Sequence, residues 1–97
     1  MNLQTLRTHY RAPLLSLADQ YRLENVRVFG SMARGEAHEK SDLDLLVHPK
    51  PGCTLFDLIG FEQDAAQLLD GMRVDVISDR AIKDILIPHI LAEATPL

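Results

Sequence analysis

Apolar residues recur along the chain at two periods, one typical of helices and one typical of strands. Over residues 2–21 they recur every three or four positions, which predicts a helix that Pro13 divides into roughly 2–10 and 13–21. Short apolar runs bounded by Gly or Pro predict three strands, over residues 26–29, 43–47 and 73–77. Helical segments that alternate with strands are typical of a layered α/β domain.

Further helical segments lie between these strands. One helical turn is expected over residues 32–35, and Thr54 can cap a longer helix over 55–70 that ends at Gly71. The longer helix has an apolar stripe that Glu62 interrupts. The stripe consists of Leu55, Leu58, Ile59, Ala65, Ala66 and Leu69.

The last part of the chain has a helical tendency over residues 80–93, which Pro88 should divide. Its apolar side consists of Ile82, Ile85, Leu86 and Ile90. We expect the run 85–91 to lie in the core, or to form a partner surface if Pro88 prevents its burial.

Length and composition exclude several classes of protein. The 97 residues and 10.9 kDa suffice for a single domain over 1–97, without a separate substrate domain. The apolar runs are too short for a membrane span, and the first residues lack the apolar core of a signal peptide. The single cysteine, Cys53, excludes an internal disulfide, fits a reducing cytoplasm and resembles a turn residue rather than a nucleophile. A net charge of -4 and few aromatic residues argue against direct nucleic-acid binding.

Three acids are the candidate metal ligands. Because alternate residues of a strand point to the same face, Asp42 and Asp44 share one face at the start of the second strand. They lie about 7 Å apart along the strand and can converge on hard divalent ions, which lie roughly 4 Å apart in two-metal sites. Asp75 interrupts the apolar third strand, which we expect beside the second. Three acids on one face repel each other, and a cation would relieve that repulsion.

Gly30 and Ser31 predict a phosphate-binding turn directly after the first strand. Gly30 lets the backbone turn and approach a ligand closely, and the Ser31 hydroxyl lies beside backbone N–H groups at a helix start, which bind anions. Arg34 follows in the same turn, and its guanidinium suits phosphate. Acids that bind metal beside such a turn indicate a nucleotide held through magnesium.

The same features also have structural interpretations. Ser31 could be an ordinary helix N-cap, and the Asp-x-Asp pair could be solvated charges at a loop or strand edge. Asp75 could pair with Arg73 or Arg27.

Arg34 could pair with Glu36 or Asp42 as readily as with phosphate, and Ser41 could either orient Asp42 or shape the loop. The histidines have no metal-ligand spacing with one another, so we expect them at the surface or in packing; they are His9, His38, His48 and His89. His38 is the exception to follow, because it lies between the turn and the acids.

The spacing of these residues resembles a known signature. Gly30-Ser31, ten residues, then Asp42-x-Asp44 is identified as the signature of nucleotidyltransferases of the DNA polymerase beta superfamily. The surrounding Phe-Gly-Ser-x-Ala-Arg-Gly and Ser-Asp-Leu-Asp-Leu-Leu-Val resemble its minimal branch, the MNT proteins, and the resemblance covers residues 26–77.

The resemblance implies a nucleotidyltransferase fold, with a small mixed β-sheet flanked by helices. It implies that Asp42, Asp44 and Asp75 bind two Mg²⁺ ions and that Gly30 and Ser31 hold the phosphates of ATP. Minimal members often act as antitoxins that transfer AMP to a tyrosine of a HEPN-domain ribonuclease toxin. We therefore expect a protein adenylyltransferase. The alternatives are adenylylation of a small molecule such as an aminoglycoside, for which a homodimer could build the pocket, and a non-catalytic antitoxin that masks its toxin.

Overall fold

Nine helices and strands are assigned in the computed structural model, which describes residues 1–36, 42–80 and 87–97, the side chain of Ile87 excepted. They are α1 (Leu3–His9), α2 (Arg11–Gln20), β1 (Leu23–Phe29), α3 (Gly30–Ala33), β2 (Leu43–Pro49), α4 (Leu55–Leu68), β3 (Val74–Ser78), α5 (Ile87–Glu93) and β4 (Thr95–Pro96). Over these ranges, no helix is both long and apolar enough to span a membrane.

The first helical region is divided in two, as predicted, but not by Pro13. The break lies at Tyr10, which ends α1 and precedes α2. Pro13 lies in the first turn of α2, where its missing N–H needs no intrahelical partner, so the ring is tolerated. The next residue, Leu14, already donates its N–H to the Tyr10 carbonyl at 2.9 Å.

The four strands form a mixed sheet in the order β3-β2-β1-β4, which confirms the predicted sheet flanked by helices. β1 is antiparallel to β2 and β4, whereas β2 and β3 are parallel and neighbours, as expected. A parallel pair needs a long crossover, and α4 provides it. β1 begins at Leu23, earlier than predicted, because a register shift between Glu24 and Arg27, with Asn25 at φ +50°, breaks the alternation there.

The two faces of the sheet are covered differently. The apolar positions Leu43, Leu45 and Val47 of β2 are fully buried in the main core, with residues of α1, α2 and α4. The opposite face carries a smaller apolar cluster of Phe29, Leu46 and Ile90. Asp44, two residues before Leu46, lies on this second face and is the register partner of Phe29.

The helix α4 has the predicted start but a different buried face. Thr54 accepts the N–H of Asp57 in a capping box, and the chain turns with φ +84° at Gly71. The predicted stripe is wrong at Leu55 and Ile59, which are 68% and 44% exposed. The buried row has a spacing of four and begins at a residue outside the predicted stripe; it consists of Phe61, Ala65 and Leu69.

The C-terminal region is only partly described. Residues 81–86 lie outside the described residues, and with them the predicted core positions Ile82, Ile85 and Leu86. Pro88 lies in the first turn of α5 and does not divide that helix. Ile90 is buried as predicted, but Leu91 is 45% exposed, so the predicted burial of the run is wrong there.

Candidate active site

The sheet brings acids together that are distant in sequence. Asp44 of β2 and Asp75 of β3 are register partners in the parallel pair, so their side chains lie on the same face of neighbouring strands about 4.8 Å apart. Asp42 lies just before β2, two residues from Asp44. All three predicted acids therefore lie at one end of the sheet.

An exposed arginine lies between two of these acids. The Nε atom of Arg73 is 3.8 Å from Asp42 Oδ2 and 3.6 Å from Asp75 Oδ1, and the Arg73 side chain is 74% exposed. Such long, exposed ion pairs contribute little to stability. Of the two partners suggested for Asp75, Arg73 is thus present, whereas Arg27 pairs with Asp79 at 3.4 Å. In the described parts of the chain, no three His, Cys, Asp or Glu side chains already form a group that could hold a metal ion.

The electrostatics of Asp44 show how crowded the acids are. Burial raises the pKa of the Asp44 carboxyl, the charges of Asp75, Asp42 and Glu93 raise it further, and the charge of Arg34 lowers it. A cation beside Asp44 would therefore favour its ionised form.

Gly30 lies directly against Asp44. The β1–β2 register pairs Phe29 with Asp44, and the chain then turns at Gly30 with φ +75°. A Cβ atom at Gly30 would overlap Oδ2 of Asp44. Only glycine therefore allows this turn and this carboxylate to be neighbours.

The rest of the turn is formed by α3. Phe29 is the N-cap of α3, so the interpretation of Ser31 as an N-cap is wrong; Ser31 is half-buried within the helix. Arg34 donates to Glu36 Oε2 at 3.1 Å, as one interpretation suggested, and also to Glu93 Oε1. Ser41 and His38 lie outside the described residues.

Glu93 is the site residue that the sequence did not indicate. The Gly30 N–H donates to Glu93 Oε2 at 2.8 Å, and Arg34 binds the other oxygen. These two contacts lower the pKa of the Glu93 carboxyl, the Arg34 hydrogen bond most. A glutamate between alanines near the end of a helix usually indicates a solvated surface, and nothing in its spacing relates it to Gly30.

A second acid, Glu62 of α4, is partly buried and lies within electrostatic reach of Asp75. Burial raises the pKa of its carboxyl, and the charge of Asp75 raises it further. Glu62 interrupts the predicted apolar stripe, and nothing in its spacing relates it to Asp75.

Cys53 and His48 lie apart from these acids. Cys53 forms a turn, with its N–H donated to the Lys50 carbonyl at 3.0 Å, and burial raises the pKa of its thiol, which disfavours the nucleophilic thiolate. His48 lies near the far end of β2, where Nδ1 is 2.9 Å from Asp79 Oδ2.

Residues 14–95 match the family described as the nucleotidyltransferase domain. The chain belongs to this family. This match, together with the similarity to a named protein adenylyltransferase and to a solved minimal nucleotidyltransferase, confirms the predicted resemblance and the predicted enzyme class.

Relatives match most of the length of this nucleotidyltransferase. It is 31% identical to the protein adenylyltransferase MntA of Thermococcus cleftensis over 93 residues, and this matched stretch covers 96% of this chain and 93% of the relative. A solved structure described as that of a provisionally assigned minimal nucleotidyltransferase is 47% identical, with a TM-score of 0.86, over 100% of this chain and 97% of the other.

A more distant structure shares the fold. It is the complex of a tri-AMPylated HEPN toxin of Shewanella oneidensis with an MNT antitoxin. The matching chain has a TM-score of 0.66 at 18% identity and covers 88% of this nucleotidyltransferase and 66% of the other chain. At that identity the likeness shows the fold alone.

Proposed function

We propose that this nucleotidyltransferase is a Mg²⁺-dependent protein adenylyltransferase of the cytoplasm that transfers AMP from ATP to a tyrosine of a cognate HEPN toxin and so acts as an antitoxin. The observation that carries the proposal is the pairing of Asp44 with Asp75 against the Gly30 turn. Similarity to MntA over almost the whole chain supports a protein acceptor. The HEPN toxin as partner is supported by the AMPylated toxin in the complex of like fold.

In this proposal Asp42, Asp44 and Asp75 hold the two Mg²⁺ ions. The residues fit the ions, because the crowding that raises the pKa of Asp44 is relieved by a divalent cation. Arg73 contacts the other two acids only at 3.6–3.8 Å and is exposed, so it can move away from them. When bound, the ions stabilise charge on the transferring phosphoryl group and activate the attacking hydroxyl.

The remaining roles belong to the turn and to one acid. The backbone at Gly30 and the hydroxyl of Ser31 bind the phosphates of ATP, and Arg34 adds a guanidinium. The tyrosine oxygen forms a bond to the α-phosphorus, the bond from that phosphorus to its bridging oxygen breaks, and pyrophosphate leaves. Asp75 accepts the proton of the attacking hydroxyl.

The activity of the toxin after its separation from this protein distinguishes covalent AMP transfer from masking by binding. Toxin treated with this protein and Mg·ATP should remain inactive after separation, with its mass increased by whole AMP units on a tyrosine. The double variant Asp42→Asn/Asp44→Asn should bind the toxin but fail to protect cells. Asp70→Asn is the matched control, because Asp70 is an exposed acid outside the site, and it should protect like the parent protein.

The opposite results would contradict the proposal. Unmodified toxin that regains ribonuclease activity on separation, together with full protection by the double variant, would establish masking. Adenylylation of an aminoglycoside beside unmodified toxin would establish the small-molecule alternative.

A further inference from the structure

The carboxylate of Glu93 occupies the donors to which the proposed function assigns phosphate. One oxygen accepts the Gly30 N–H at 2.8 Å, and the other accepts from Arg34. The Glu93 side chain is only 14% exposed, whereas that of Arg34 is 44% exposed, so the carboxylate is largely enclosed while the guanidinium remains accessible. A backbone N–H together with a guanidinium is a donor set typical of phosphate sites, and a carboxylate binds it in the same charge-assisted way.

The packing of α5 holds this carboxylate in place. Ile90 lies one turn before Glu93 and is buried against Leu46 and Phe29. Phe29 is the residue directly before the Gly30 turn. The chain after α5 is held to β1, since the Leu97 N–H donates to the Val26 carbonyl at 3.1 Å. Glu93 therefore reaches the turn from an anchored helix, not from a free tail.

A nucleotide and Glu93 cannot both accept the Gly30 N–H, whereas the Arg34 guanidinium has further N–H donors. The single N–H of Gly30 has one hydrogen, and it already points to Glu93 Oε2. The charge of Glu93 also acts on Asp44, so it adds negative potential where a triphosphate would bind.

We propose that Glu93 is an internal competitor for the phosphate-binding donors, which ATP must displace, so that Glu93 sets the nucleotide affinity of the site. This inference rests on the proposed function. An internal occupant reduces the affinity because the apparent Kd equals the intrinsic Kd divided by the fraction of protein whose site is open.

Two variants test the proposal by equilibrium ATP binding, with and without Mg²⁺. Glu93→Gln keeps the shape of the side chain but removes its charge, and we expect ATP to bind about tenfold more tightly, the change expected from one charge-assisted hydrogen bond. Glu36→Gln removes the other negative charge that contacts Arg34, and Glu36 has no contact with Gly30. The ATP affinity of this variant should remain within about twofold of that of the parent protein. Weaker binding by Glu93→Gln would show that Glu93 positions the site instead, and equal gains in both variants would reduce the effect to general charge; either result overturns the proposal.

A spectroscopic measurement on the protein itself gives a second readout. The amide resonance of Gly30 should differ between the parent protein and Glu93→Gln when both are free, and should coincide when both are saturated with ATP. If Glu93→Gln does not fold, Glu93→Asp replaces it, because the shorter side chain keeps the charge but cannot span both donors; it too should bind ATP more tightly. Resonances that still differ at saturation would show that Glu93 stays bound, which overturns the inference but leaves the proposed function intact. Absence of ATP binding in every variant would overturn both.

Discussion

Replacement of Gly30 by alanine should destabilise the protein more than the same replacement at Gly35. The two glycines have almost the same backbone conformation, with φ +75° and +74°. Each alanine therefore carries the same cost of placing a Cβ in the left-handed region, about 1–2 kcal/mol. Their surroundings differ, because a Cβ at Gly35 meets no atom of the described residues within 4 Å, whereas one at Gly30 overlaps the carboxylate of Asp44.

The overlap adds a second cost at Gly30 alone. Forcing a packed side chain from its position costs about 1–3 kcal/mol. We therefore expect losses in the free energy of unfolding of about 1–2 kcal/mol for Gly35→Ala and about 2–5 kcal/mol for Gly30→Ala. In a domain of this size 1 kcal/mol shifts Tm by about 4–8 °C, so the Tm values should differ by at least about 4 °C.

Urea and thermal unfolding without metal would measure both variants, and a double-mutant cycle would locate the cause. An Asp44→Ala background removes Oδ2 and Cγ, and the nearest remaining neighbour of the new methyl is then the Cβ of residue 44 at 3.4 Å, an ordinary contact. Gly30→Ala should then cost no more than Gly35→Ala. Equal losses in the parent background, or an undiminished loss without the Asp44 carboxylate, would refute the reasoning.

Two further predictions concern charge and core. The pKa of the Asp44 carboxyl is raised in the folded state, so ionisation of Asp44 destabilises the metal-free fold when the pH is above this raised pKa. Below the ordinary pKa of an aspartate the carboxyl is protonated in both states and the effect disappears. Asp44→Asn should therefore increase stability at pH 7 and lose this advantage by about pH 3. Urea unfolding across that range checks the sign, and a gain that grows on acidification would contradict it. Phe61→Ala should cost about 3–5 kcal/mol because Phe61 is fully buried, whereas Phe56→Ala should change stability by less than about 0.5 kcal/mol because Phe56 is 83% exposed. Similar losses of stability for Phe61→Ala and Phe56→Ala in thermal unfolding would contradict the assignment of Phe61 to the core and of Phe56 to the surface.

The acids and the turn could be predicted because their signals are local. Strand alternation alone puts Asp42 and Asp44 on one face, and a glycine after a strand marks a turn. The position of Asp75 followed from one added assumption, that the second and third strands are neighbours, and the sheet order confirms it.

The errors arise where tertiary contacts choose between equivalent local patterns. In α4 the predicted stripe and the buried row share Ala65 and Leu69, so local spacing fits both of them. Tertiary packing buries the row that begins at Phe61, which leaves Leu55 exposed. The pair of strand residues in β4 is too short for any periodicity, and it includes a proline. Glu93 depends on the packing of α5 against the sheet, a contact between segments 63 residues apart that no local pattern encodes.

The parallel pairing of β2 with β3 also orders events during folding. Asp44 meets Asp75 only after the whole intervening stretch has collapsed with α4 as its crossover, and contacts of such long sequence separation form slowly. During synthesis on the ribosome the acids cannot assemble until β3 has emerged, and Glu93 reaches the turn later still. A nascent chain that ends before Val74 therefore lacks the Asp44–Asp75 pair that the proposed function requires, whatever structure α1, α2 and the first two strands have already formed.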